Sequence, residues 1–270
     1  MAAVAEQQRL WGETYDWHQA GDEWSAAWGS VQMQWYATLL PRLHAHLPAK
    51  TVLEIAPGFG RWTQFLQPLC ERLIVVDLSE RCIDACQKRF AHVNNIAYHV
   101  NDGRSLDFVP DRSIDFVFSF DSLVHADEDA IGSYLRALSR KLTPNGVAFI
   151  HHSNLAAHPN FLRILAACPY RLKSLLAHMG LGQRMNQHGR DTKMSAAKFE
   201  ELAEAANLSM ISQELVNWAG PGLLIDCISV FGPARSGPKK MLSNPDFALE
   251  IRNARRLSAI YASEPTLLRS

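Results

Sequence analysis

Apolar positions along most of the chain follow two alternating rhythms. Val52-Leu53 with Ile55, Leu73–Val76, Ile96–Val100, Ile114–Phe120 and Val147–Ile150 are short apolar runs with the length and β-branched content of buried strands. Between them, Trp62, Phe65, Leu66 and Leu69, and later Ile131, Tyr134, Leu135 and Leu138, recur at the spacing of one helix face. Ser79 is a predicted N-cap for a helix reaching about Phe90, and Ser195 for one reaching Ala206. Thr143-Pro144-Asn145-Gly146 is composed of turn residues. Two more strands are predicted at Leu208–Val216 and Leu223–Phe231. Strands alternating with helices predict an α/β fold: a mainly parallel sheet, helices on both faces and right-handed crossovers.

The rhythm is absent from both ends and from one interior stretch. Residues 1–48 read as a helical cap dense in aromatics (Trp11, Tyr15, Trp17, Trp24, Trp28 and Trp35), ending at Pro48. Residues 49–232 hold the strand–helix alternation, interrupted at 155–193 by an insertion suited to a substrate lid. That insertion is helix-prone at Phe161–Ala167 and Arg171–His178. Residues 233–270 read as an extension ending in a basic helix, Pro245–Tyr261. The cap and this helix are candidate surfaces for a homodimer.

Composition narrows the function. The 27 Lys+Arg balance the 27 Asp+Glu, so no global field favours nucleic acid or an anionic membrane. No apolar run approaches the roughly 20 residues needed to span a bilayer. The N-terminus lacks the apolar core of a signal peptide, and five cysteines fit reduced thiols in the cytoplasm. Cys82 and Cys86 read as helix-face residues, not zinc ligands, because no matching pair of ligands is near.

The chemistry centres on Thr51–Thr63, TVLEIAPGFGRWT, which reads as strand, glycine turn, helix. Glycine lets the backbone bend and approach a ligand, and the following helix offers its free N–H groups to the same place. An acidic residue, Asp77, ends the second strand, where a carboxylate meets ribose hydroxyls in doubly wound nucleotide folds. Asp102 ends the third. A dinucleotide fingerprint would carry a glycine where Thr63 stands.

This ordered set, VLEIAPGFG with Asp77, Asp102 and the Pro-Asn-Gly turn, resembles the class I S-adenosylmethionine-dependent methyltransferases over roughly residues 50–232. The arrangement of DEWSAAWGS, SFDSLVH, HHSN and LIDCISVF around it is similar to bacterial small-molecule and sugar O-methyltransferases. The resemblance implies a Rossmann-like seven-stranded sheet whose last two strands form an antiparallel hairpin. It implies S-adenosyl-L-methionine as cofactor, held by Glu54, Ala56, Gly58, Gly60, Asp77, Leu78, Asp102, Gly103 and Phe120. Asp77 would take the ribose hydroxyls, and Asp102, with Gly103 beside it, the adenine amino group. Ala56 stands where the commonest motif has its first glycine.

Methyl transfer to a hydroxyl needs close alignment and removal of a proton, for which histidine is suited. Asp121 and His125 follow the fourth strand, and His151 and His152 the fifth, at the edge where open α/β sheets bind ligands. Neighbouring strand residues face opposite ways, so one of His151 and His152 is expected at the acceptor, with His152 favoured as nearer the strand's end. The expected catalytic set is His125, His152 and Asp121, with His151, Asn154, Arg190, Trp24 and Trp28 as acceptor contacts. The expected acceptor is a small polar molecule such as a sugar or secondary metabolite, with no nucleic acid, membrane or metal. Asp121 with His151 or His152 holding a divalent ion is one alternative. An N-methyltransferase or nucleic-acid methyltransferase is another, although Phe120-Asp121-Ser122-Leu123 lacks the Pro-Pro-aromatic element of base methylases.

Overall fold

The computed structural model describes residues 2–168, 189–218, 222–233 and 237–261. The helix expected at Arg171–His178 lies outside them. Eight strands form one sheet in the order β3-β2-β1-β4-β5-β7-β6-β8. They are β1 (Ala49–Ile55), β2 (Cys70–Asp77), β3 (Ile96–Val100), β4 (Ile114–Ser119), β5 (Leu142–Ser153), β6 (Leu208–Val216), β7 (Asp226–Pro233) and β8 (Lys240–Asn244). Strands β1 to β5 run parallel, β7 is antiparallel to both β5 and β6, and β8 is parallel to β6.

Seven strands are predicted and eight are found, because β8 lies in the stretch read as an extension. Four of its five residues are exposed, so this edge strand leaves no apolar signature. Strand β7 begins at Asp226, not Leu223, and β5 continues through His151-His152-Ser153. The turn residues Thr143–Gly146 bulge out of β5: Ile114 pairs with Leu142, but Phe116 already pairs with Val147. A Cβ on Gly146 would lie 2.7 Å from the Ile114 carbonyl oxygen, so only glycine fits there.

The helix implied by the spacing of Trp62, Phe65, Leu66 and Leu69 is shorter, Thr63–Leu66, and tightens into a 3₁₀ turn at Gln67–Leu69 where Pro68 cannot continue it. The capping expectations hold. Ser79 Oγ accepts from Cys82 N (3.3 Å) at the head of Glu80–Arg89, and Ser195 Oγ accepts from Lys198 N (3.1 Å) at Ala196–Ala205. Asp127 caps Glu128–Lys141 in the same way.

Period-two alternation sends Leu53 and Ile55 to one core and Val52 to the other. The first core packs under Glu128–Lys141 and Ala196–Ala205 through Leu135, Leu138, Phe199 and Ala203. The second packs under the N-terminal segment, through Trp28, Val31, Trp35 and Leu39, and under the C-terminal helix Phe247–Tyr261, through Phe247, Ile251 and Ala254. Arg42 binds Glu214 of β6 bidentately (2.7 and 2.6 Å) and reaches Glu250, joining cap, sheet and C-terminal helix. Among the described residues no helix is long and apolar enough to cross a membrane.

Candidate cofactor and acceptor site

A cavity of about 220 Å³ opens at the carboxyl ends of β1, β2 and β4, beneath the aromatic N-terminal segment. Its floor is the turn after β1. Ala56, Gly58 and Gly60 all take left-handed backbone angles (φ 58°, 58° and 87°). Glycine adopts these freely, whereas alanine at 56 is strained. A Cβ on Gly58 would lie 2.6 Å from the Trp17 indole, and one on Gly60 2.5 Å from Phe90, so both glycines admit close packing as well as a bend.

Asp77 stands beside this floor. Its carboxylate accepts from Gly58 N (3.2 Å) and Ser79 N (2.9 Å), and burial raises its pKa to about 6 against those hydrogen bonds. Ala56, Gly58, Asp77, Leu78, Gly103 and Phe120 all line the cavity. Three residues expected with them do not: Glu54, Asp102, and Gly60, which packs against Phe90. Glu54 is buried under the turn, where it accepts from Thr63 Oγ1 (2.6 Å), and burial raises its pKa to about 8. Asp102 is exposed, and its Oδ1 closes its own loop by accepting from Arg104 N, Ser105 N and Ser105 Oγ. These bonds hold its pKa below the ordinary value. A carboxylate so engaged folds the loop that brings Gly103 to the cavity.

At the far end, Asp121, His125 and Arg190 line the cavity. Asp121 is itself left-handed (φ 64°) and pairs with Arg61 Nη2 at 3.0 Å. His125 Nδ1 lies 3.0 Å from the Gly189 carbonyl, which can only accept. The proton therefore sits on Nδ1 and Nε2 is the free base nitrogen. Desolvation lowers the His125 pKa, so the ring is neutral at pH 7.

The two histidines of β5 part as the strand's pleat requires. His152 is fully buried on the face away from the cavity, stacked on Phe199 (4.0 Å) with Nε2 2.8 Å from Ser229 Oγ. Its pKa is driven down to about 3 by burial. This corrects the preference for His152 as base: it is a core residue. His151 lies on the other face but beneath the cavity wall, stacked between Phe120 and Trp218. Its Nδ1 accepts from the Asp121 main chain and its Nε2 lies 3.5 Å from Asp226. For the alternative in which Asp121 and one of these histidines hold a divalent ion, His152 lies on the wrong face, and both ring nitrogens of His151 already face protein groups, the Asp121 main chain and Asp226.

Three further expectations change. Arg190 is buried against Asp226 as a bidentate pair (2.7 and 2.8 Å), so an internal carboxylate already occupies its Nε and Nη2. Burial works against the charge on Asp226, but Arg190 and His151 outweigh it and hold its pKa below normal. Asn154 is a clip between loops, donating to Leu224 O and accepting from Ala196 N. Trp28 is buried in the second core and donates to Thr38 Oγ1. Trp24 does line the cavity, with Trp11 and Trp17. Tyr15 joins these rings in a cluster with centroids 4.9–6.1 Å apart. Arg61, Asp226, Trp11 and Trp17 escaped selection from sequence. The signals were an arginine directly after the glycine turn and an aspartate opening an apolar strand.

Residues 52–146 match the family described as a methyltransferase domain. Phosphoethanolamine N-methyltransferase 1 of Caenorhabditis elegans is 28% identical over 114 residues, 42% of this chain and 23% of that one. Nodulation protein S of Bradyrhizobium diazoefficiens is 31% identical over 77 residues, 28% of this chain and 37% of that one. The alignments thus span well under half of either relative. The solved DhpI–SAH complex overlays 87% of this chain and 100% of its own with a TM-score of 0.53 at 20% identity. A SAM-dependent methyltransferase of Leishmania major overlays 85% and 82% with a TM-score of 0.57 at 10% identity. The chain carries a methyltransferase domain at residues 52–146 within the class I S-adenosylmethionine-dependent methyltransferase fold.

Proposed function

We propose that this chain binds S-adenosylmethionine in the cavity and methylates a hydroxyl of a small polar acceptor, with His125 as the general base. The observation that carries the cofactor reading is Asp77, a buried carboxylate at the end of β2 beside a left-handed glycine turn. A ribose diol supplies the two donors such a carboxylate accepts. Ala56, Gly58, Leu78 and Gly103 would flank the nucleoside, and Phe120 the methionine portion. When bound, the cofactor would supply a sulfonium methyl for the acceptor oxygen, with its thioether as the leaving group. His125 Nε2 takes the hydroxyl proton, and its neutral state at pH 7 leaves that nitrogen free to do so. Asp121 orients the acceptor, while Trp11, Trp17 and Trp24 keep water from the site.

An amine acceptor is the second reading. Asp121 at the cavity wall suits a cationic group, and one relative is named an N-methyltransferase. The test is a panel of matched alcohols and amines with methyl-labelled cofactor, alongside calorimetric titration of S-adenosylhomocysteine. Labelled ethers that vanish in His125→Ala, with unchanged cofactor affinity, support the hydroxyl reading. Labelled amines alone would replace it with the second, and absence of nucleoside binding would remove both.

A further inference from the structure

Arg61 is not used by the chemistry above, yet it lines the same cavity and its side chain is 8% exposed. Nη2 donates to Asp121, and the guanidinium carbon lies 4.5 Å from the centre of the Trp62 ring, which holds the fork in one plane. Nη1 is buried and donates to nothing among the described residues. A guanidinium N–H removed from water without an acceptor is costly, and buried groups of this kind have partners in native proteins. The neighbouring acids Asp22, Glu23 and Glu54 each engage another residue through one oxygen, Arg89, Tyr15 and Thr63 in turn. Each keeps its other oxygen buried without a partner among the described residues, and none of those oxygens is within hydrogen-bond distance of Nη1. Arg190, on the same cavity, gives Nε and Nη2 to Asp226.

We infer that Arg61 forms an oxyanion subsite, its free Nη1 receiving a carboxylate or phosphate oxygen while the Asp121 pair fixes the fork. The inference rests on the methyltransferase reading for the identity of the ligands, but not for the geometry. A planar guanidinium matches those oxyanions better than it matches a neutral hydroxyl or amide. The burial of Arg61 removes the competing water that makes an exposed arginine a weak receptor. Two sources share this chemistry: the carboxylate of the cofactor's methionine portion, and an anionic group on the acceptor.

The test compares the intact chain with Arg61→Met and Arg61→Lys, using binding alone. S-Adenosylhomocysteine and 5′-methylthioadenosine are titrated by calorimetry, since the second lacks the carboxylate. Inorganic phosphate is then titrated into protein saturated with S-adenosylhomocysteine. If the carboxylate comes from the cofactor, Arg61→Met weakens S-adenosylhomocysteine about tenfold or more and leaves methylthioadenosine unchanged. If it comes from the acceptor, nucleoside affinities stay level and phosphate binding, seen in the wild type, is lost. Should Arg61→Met not fold, Arg61→Lys preserves a cation for Asp121 and loses the fork, so the same differences appear in reduced size. Folded variants that bind all three ligands as the wild type does overturn the subsite. A wild type that binds phosphate through Arg61 but neither nucleoside would remove the methyltransferase reading and leave the subsite standing.

Discussion

The main-chain N–H of Asp121 donates to Nδ1 of His151 across 3.1 Å, from the end of β4 to the neighbouring β5. This bond holds a non-glycine residue in a left-handed conformation (φ 64°) that it would not otherwise favour. It also commits Nδ1 of His151 as an acceptor, which directs the ring proton toward Asp226. His151 is therefore a positioning residue for Asp121. In His151→Leu the Asp121 N–H loses its acceptor and the backbone relaxes. Turnover should fall roughly 10–100-fold with cofactor affinity unchanged, because a small misplacement at a reacting centre is costly. Steady-state kinetics with calorimetry checks this; an equal loss of nucleoside binding would count against it.

His125 is neutral because desolvation lowers its pKa below the ordinary histidine value. A base must be unprotonated, so turnover should rise with pH through that lowered pKa and reach its plateau before neutrality. His125→Ala should reduce kcat by about 10²–10⁴ and abolish this limb. A pH–rate profile from 4.5 to 8.5 on both proteins is the measurement.

Asp77 titrates at about 6 in the free protein. Its ionised form is the better acceptor for a diol, so nucleoside affinity should strengthen as pH rises through 6 and level off above it. Asp77→Asn should bind about 10–100-fold more weakly and show no such rise. At pH 7 the variant removes a buried charge but leaves one of the two main-chain N–H groups, Gly58 N or Ser79 N, facing an amide donor, so the two effects on stability oppose each other.

Glu54 is buried with one oxygen on Thr63 and the other, Oε1, unpartnered among the described residues. Its pKa is raised by burial from 4.5 to about 8, so over that window the folded chain binds more protons than the unfolded one. Stability must then fall as pH rises from 4.5 to 8, by at most about 5 kcal/mol from this group. Glu54→Gln should flatten that part of the denaturation profile and leave nucleoside affinity near the wild-type value.

Arg190 and Asp226 form a buried bidentate pair. Arg190→Met strands the Asp226 charge and should cost roughly 3–5 kcal/mol in chemical denaturation. Adding Asp226→Leu should recover most of that loss, since the stranded charge is its cause. A double variant no more stable than Arg190→Met would show that the arginine acts through packing alone.

The parts of the site that were legible in sequence are those set by backbone geometry. Gly58, Asp77 and Gly103 sit at strand ends and turns whose place is implied by strand–helix alternation, and each reaches the cavity. Ser79 and Ser195 cap helices for the same local reason. What failed was choice among side chains whose facing is a tertiary matter. His151 and His152 are adjacent, and only the packing of β5 between β4 and β7 decides that His152 meets Phe199 in the core. Trp24 and Trp28 are one helical turn apart in spacing, but only Trp24 reaches the cavity. Asp102 had the expected position and lost its expected role to the N–H groups of its own loop.

The chain's pattern by itself determined the order of the first seven strands, the glycine turn at 56–60 and the carboxylate that ends β2, because these follow from local propensity and period. Only the tertiary structure decided which charges meet. Arg61 with Asp121, Arg190 with Asp226, and His151 with the Asp121 backbone join residues 30 to 60 positions apart. Such pairs carry no period in sequence, since a buried charge is placed by the partner that folding brings to it and not by its neighbours along the chain.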